Sequence, residues 1–185
     1  MLQYDLYLVQ EALDASQWRR SGSEGWAVRT ALRLYRQAWW RGWWTRMRWA
    51  LAHRSWRLFG LADLTPRQAR PSHGRVRTET VPISKIRGSA GRSNDFDSAF
   101  CPLQRHSQGR WLSIAMARRL GTPLPPVDLI QIGDIYFVRD GHHRISVAQA
   151  LGQQEIDSRV AVWHVTGPLP WERTPIAPDL ARQPA

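Results

Sequence analysis

The chain has 185 residues but a single lysine, Lys85, and a single cysteine, Cys101. One cysteine excludes an internal disulfide, so a reducing compartment fits best. No apolar run reaches the roughly 20 residues that cross a bilayer as a helix. The opening stretch MLQYDLYLVQEALD lacks the basic start of a signal peptide. The expected location is therefore the cytoplasm, free or peripheral to the membrane or nucleoid. Proline is absent from the first 60 residues, and no strand-like alternation occurs there, which predicts helix.

What the chain has in abundance is arginine, which supplies 25 of its 26 basic residues. The formal net charge of +11 is unevenly spread. Residues 1–60 carry +6, residues 61–110 carry +5, and residues 111–185 are balanced. A basic half joined to a balanced half points to a polyanionic partner, nucleic acid or an anionic membrane surface. An arginine-rich solvated surface without such a role is the plainer alternative.

Four parts can be drawn. Residues 1–60 form a basic, tryptophan-rich helical extension. Residues 61–74, LADLTPRQARPSHG, hold two prolines and a closing glycine and read as a linker. Residues 75–167 alternate strand-like and helix-like patterns, and residues 168–185 are a proline-rich tail. Within the third part, VRTETVPI (76–83) predicts a strand and HSQGRWLSIAMARRLG (106–121) a helix stopped by Gly121. VDLIQI (127–132) and IYFVRD (135–140), joined by Gly133-Asp134, predict a β-hairpin. ISVAQAL (145–151) then predicts a short helix, and SRVAVWHV (158–165) a last strand. The expected class is α+β: a small mixed sheet with short helices behind a helical N-terminal extension.

Residues 24–60 hold seven of the eleven tryptophans and eight arginines against one acid, Glu24. At 100° per residue, Val28, Leu32, Tyr35, Trp39, Trp43 and Met47 share one broad face. Arg46 falls on the axis of that face and Arg36 at its margin, with Trp40 and Trp44 one flank over. Such a helix fits three settings: an anionic membrane interface, nucleic acid, or packing onto its own domain or a second copy in a homodimer.

The motif FVRDGHHRISVAQALG (137–152) carries most of the chemistry. Gly141 lets backbone approach a ligand closely, and the start of the following helix favours a phosphate. Arg144 offers a bidentate clamp on phosphate oxygens, and Ser146 a hydroxyl in the first turn. His142 or His143 can donate to phosphate, take a proton or bind a metal, with Asp140 as a further candidate base. Ordinary helix capping by Asp140 and Gly141 is the competing reading. A second constellation is GRSNDFDSAFCPL (91–103). Asp95 and Asp97 flank Phe96, so in an extended segment both carboxylates face one side, where they suit a divalent cation such as Mg²⁺. Alternatively, Asn94-Asp95 makes a turn while Phe96 and Phe100 anchor the loop. Arg105 and His106 read more simply as caps of the next helix.

The order VPISKIRG, a central helix, then PPVDLIQIGDIYFVRDGHHRISVAQALG resembles the ParB/sulfiredoxin superfamily, most closely its bacterial ParB-like members. Residues 76–165 carry the likeness. The resemblance implies a nucleotide ligand: CTP in ParB, ATP in sulfiredoxin, ADP or ATP in the related free-serine kinases, whose Asp-Gly-His signature Asp140 to His142 match. Arg144 stands at the signature arginine, and Arg92 near the upstream arginine of ParB-like proteins. His142 occupies the place of the sulfiredoxin cysteine, and no acid stands where ParB has its glutamate. The implied function is nucleotide binding through Asp140–Arg144, with nucleic-acid association. The alternatives are a phosphotransferase or nucleotide hydrolase of the free-serine-kinase type, and a non-enzymatic nucleic-acid or membrane-surface adaptor.

Overall fold

The computed structural model describes residues 25–52, 55–64, 69–71, 76–91, 94–104, 107–165 and 169. Expectations for residues 1–24, for Arg92, Arg105 and His106, and for all of the tail but Leu169 lie outside them. Helix α1 spans Gly25–Leu51, α2 Gln108–Arg119 and α3 His142–Ala150. The strands are β1 (Phe59–Gly60), β2 (Ala69–Pro71), β3 (Arg77–Pro82), β4 (Ile86–Ser89), β5 (Val127–Ile132), β6 (Ile135–Asp140) and β7 (Glu155–Val165). They form one seven-stranded sheet in the order β1-β4-β6-β5-β7-β2, with β3 also on β7. The pairs β1–β4, β4–β6 and β5–β7 are parallel, whereas β5–β6 and the pairs of β7 with β2 and β3 are antiparallel. The α+β class with a mixed sheet stands.

The hairpin of 127–132 and 135–140 falls where the sequence places it. Its strands show no polar alternation because both sheet faces are covered. Leu129, Tyr136 and Val138 point into a core shared with Phe96, Phe100 and Ile145. Ile130, Ile132, Ile135 and Phe137 point the other way, into a core closed by Leu64 and Leu169. The expected linker needs correction. Within the expected linker, Ala69–Pro71 pair with β7, and Phe59–Gly60, at the end of the expected extension, pair with β4. Strands of two or three residues carry too little periodicity to be seen in sequence.

The face that α1 buries overlaps the apolar face of the helical wheel only at Tyr35. Ala27, Ala31, Tyr35, Ala38 and Gly42 face inward, while Val28, Leu32 and Met47 of the wheel's apolar face are exposed. Bulk is supplied from the other side, by fully buried Trp111 with Ile114 and Ala115 of α2 and Val147 of α3. Small residues on α1 let the helices approach, and Tyr35 meets the Trp111 ring edge-on at 5.4 Å. At Gly42 the approach is tightest. A Cβ there would lie 2.6 Å from Cys101 Cβ and 3.2 Å from Asp97 Oδ2.

Helix α3 begins at His142, three residues earlier than expected, so His142, His143 and Arg144 lie in its first turn. Gly141 precedes it at φ 100°, a left-handed conformation, and a Cβ there would meet Val127 Cγ1 at 2.6 Å. The glycine is therefore required by its own backbone conformation and by the Val127 side chain packed on it, and not only by any ligand. Gly141→Ala combines that overlap with a disfavoured φ and should lower stability by about 2–3 kcal/mol in urea unfolding, since strain of this kind costs on the order of 1–3 kcal/mol.

Candidate functional site

The first turn of α3 lies inside the protein. His142, His143 and Ser146 are all buried. His142 Nε2 and Ser89 Oγ, from the end of β4, share a buried hydrogen bond of 2.8 Å. Gly91 N–H donates to the same hydroxyl at 3.3 Å. The Phe96 ring covers both imidazoles. It stacks on His142 at 5.9 Å and 18°, and meets His143 edge-on at 5.1 Å and 79°. Ser146 Oγ accepts from the indole N–H of Trp111 at 2.9 Å, which locks α2 to α3 through one polar contact in an apolar layer.

Arg144, read from the motif as a phosphate clamp, makes its hydrogen bonds within the protein. Its Nη1 donates to the carbonyls of Pro125 and Pro126 at 2.7 and 3.0 Å, and its Nη2 donates to Asp140 one turn back. Burial pushes its pKa down from the ordinary value, opposed by Asp140 and then Asp128. The guanidinium so ties the Pro-Pro approach to β5 to the start of α3, and Asp140 is its counter-ion. A cleft of about 220 Å³ opens beside it, between Arg118, Pro125, Gln153, Glu155 and Asp157. Mixed charge lines that cleft, and both histidines lie outside it. Arg144→Ala strands the Asp140 carboxylate and two carbonyls. It should cost about 2 kcal/mol of unfolding free energy, the scale for deleting one partner of a half-buried charged hydrogen-bond set. Unchanged stability would mean that the residue is not the anchor described.

The two aspartates of the 91–103 segment differ in burial. Asp95 is half-buried and lends its carbonyl to Leu103 N–H, whereas Asp97 is fully buried. Asp97 Oδ1 accepts the N–H groups of Cys101 and Ala99 at 2.8 and 3.0 Å, and its Oδ2 has no hydrogen-bond partner. Among the described residues, no three or more His, Cys, Asp or Glu side chains are grouped to hold a metal ion. Burial raises the Asp97 pKa, opposed by the two loop N–H groups and then by Arg46 and Arg41 of α1. The neighbouring Cys101 thiol is pushed up to about 12 by burial and then by Asp97. It is thus an inert core thiol at neutral pH. Phe100, between the two, sits at φ 50°, so the turn carries backbone strain that its packing holds in place.

Because the fold favours neutral Asp97, its contribution is complete below the ordinary carboxyl value of 3.8 and fades as pH rises through the raised pKa. Asp97→Asn keeps one oxygen for the loop N–H groups and removes this dependence. Urea unfolding should therefore show wild type losing stability relative to Asp97→Asn as the medium goes from acid to neutral. A pH-independent difference would refute the assignment.

His142, His143 and Ser146, named together from the sequence, are all buried on α3, and Phe96 is buried in its loop. Sequence reasoning missed Ser89. A Gly-Ser end to the short strand IRGS (86–89) is its only sign in the sequence. Gly88 there is pressed onto Phe137, where a Cβ would fall 2.1 Å from the ring.

Among solved structures, the chain is similar to sulfiredoxin from Arabidopsis thaliana, over 45% of this chain and 83% of that one. The identity is 21% and the TM-score 0.33, values that say nothing of activity. No family model matches the chain, and no curated protein matches it.

Proposed function

We propose that this domain binds a nucleotide of the CTP or ATP/ADP class, with its phosphates at the first turn of α3. One observation carries the reading. The Ser89 hydroxyl and two imidazoles are gathered at the positive end of a nine-residue helix, inside a core where apolar side chains would cost less. Polar groups kept in such a place at a desolvation cost are the groups a site needs. The helix dipole and two imidazoles favour an anion, and a phosphate chain satisfies several donors at once. In this reading Ser89, His142 and His143 contact the phosphates, and Arg144 positions the turn through Asp140 and the proline carbonyls. Phe96 is the gate, since its ring must swing aside for a ligand to reach either histidine. Mg²⁺ would enter with the nucleotide.

Titration calorimetry of the full chain with CTP, ATP and ADP, each with Mg²⁺, tests this. Affinity near the micromolar range is expected, about −8 kcal/mol. His143→Gln should weaken it about tenfold or more, the scale of one charge-assisted hydrogen bond, with unchanged far-UV circular dichroism. No heat with any of the three nucleotides would sink the proposal. Phosphate release in the same samples separates binding alone from the phosphotransferase or hydrolase reading, in which His142, His143 or Asp140 is the base.

A further inference from the structure

The outer face of α1 is the largest feature that the nucleotide reading leaves unused. Helix α1 contains six arginines and no acidic residue. Opposite its buried alanine stripe, Trp40, Trp44, Met47 and Leu51 follow one another at spacings of four, three and four residues. All four are exposed, at 53%, 60%, 44% and 79%. They form one helical row along the second half of the helix, on the order of 16 Å long at 1.5 Å per residue. On the same face of the first half stand Arg29, Arg33 and Arg36, all exposed. Where the halves meet, Arg33, Arg36, Gln37 and Trp40 line a shallow open recess.

The indoles are held against one another. Trp39, Trp40, Trp43 and Trp44 make successive edge-to-face contacts at 5.4, 5.8 and 4.8 Å. Their arrangement is therefore set before any partner arrives, which lowers the ordering cost of binding. None of this contributes to the core. Leaving such a row in water is unfavourable, and a continuous exposed apolar row marks a contact surface.

We infer that α1 is a membrane-docking helix that lies flat on an anionic bilayer surface. Its tryptophans and aliphatic residues would enter the interface, and Arg29, Arg33 and Arg36 would meet lipid phosphates. Three properties choose this occupant. The helix has no span apolar enough to cross a bilayer, so it can lie on one but not traverse it. Its charge is of one sign, which attracts an anionic surface and sets arginine against arginine if two copies pair through this face. Met47 and Leu51 are aliphatic and give nothing to base stacking, whereas they gain by entering lipid. Indole at the headgroup level with arginine beside it is the usual interfacial combination. This inference does not rest on nucleotide binding.

The test is sedimentation of the full chain with vesicles of phosphatidylcholine alone and with about one quarter phosphatidylglycerol. Binding is expected to the mixed vesicles, weakened by salt, and to be much lower on phosphatidylcholine alone. The double substitution Trp40→Ser with Trp44→Ser should weaken binding about tenfold or more while thermal unfolding is unchanged, because both rings are solvent-facing. Arg33→Gln with Arg36→Gln should remove much of the preference for anionic lipid. Absence of vesicle binding would overturn the inference. So would vesicle binding untouched by the tryptophan pair. Tryptophan-dependent binding of single-stranded DNA, read by anisotropy without vesicle binding, would replace it with a nucleic-acid surface. A dimer in sedimentation velocity that the tryptophan pair dissolves, again without vesicle binding, would replace it with self-association.

Discussion

Two imidazoles held in a hydrophobic interior are the constraint around which the rest of this structure is arranged. His142 and His143 start a helix whose first turn is roofed by Phe96, and Ser89 is the hydroxyl that meets His142. For the roof to stay on, the 94–103 loop must hold its shape. It does so through Asp97, which accepts two of the loop's own N–H groups, and through Phe100 in a left-handed conformation. A buried carboxylate is a poor choice for stability alone, since its charged form pays for desolvation. Its value lies in fixing the loop that carries Phe96.

The loop is held in turn by α1. Gly42 lies against Cys101 and Asp97 with no room for a side chain, and Arg41 and Arg46 place positive charge beside the carboxyl. A line of direct packing therefore runs from the solvent-facing helix, through the loop, to the ring over the histidines. Each member touches the next. Any movement of α1 relative to the sheet is transmitted first to Asp97 and Cys101, because interiors packed at this density do not absorb displacement. The outer face and the candidate site are thereby mechanically joined, although they are chemically different surfaces.

Elements with strong periodicity or an unambiguous turn were legible in the sequence. The hairpin of β5 and β6 shows both, with two apolar runs and a Gly-Asp turn, and α2 was found from the spacing of Trp111, Ile114 and Ala115. The start of α3 was placed late because histidine and arginine carry no helical signature, and only Gly141 in a left-handed conformation marks the boundary. The buried face of α1 could not be picked out in the sequence for a physical reason. A hydrophobic wheel weights residues by apolarity, but close helix contact selects small residues, and the bulk came from Trp111 on another helix. The acceptors of Arg144, the carbonyls of Pro125 and Pro126, were not legible because they are brought to it only by the fold. Ser89 was invisible because a lone serine gains meaning only from the residue opposite.

Strand β7 has a consequence for the order in which this sheet can form. Of its eleven residues, 158–163 pair with β5 along one edge, while β3 and β2 share the other. Pro82 finds Glu155 across 73 positions of chain. Among the described residues, β2 and β3 pair with no strand but β7, and without it one edge of β5 stays open. The hairpin with α3 is the nearest thing to a local nucleus, and β7 must reach it before the earlier strands can join. As the chain leaves the ribosome, β2 and β3 are made early and wait longest, as unpaired edges exposed to chaperones or to one another.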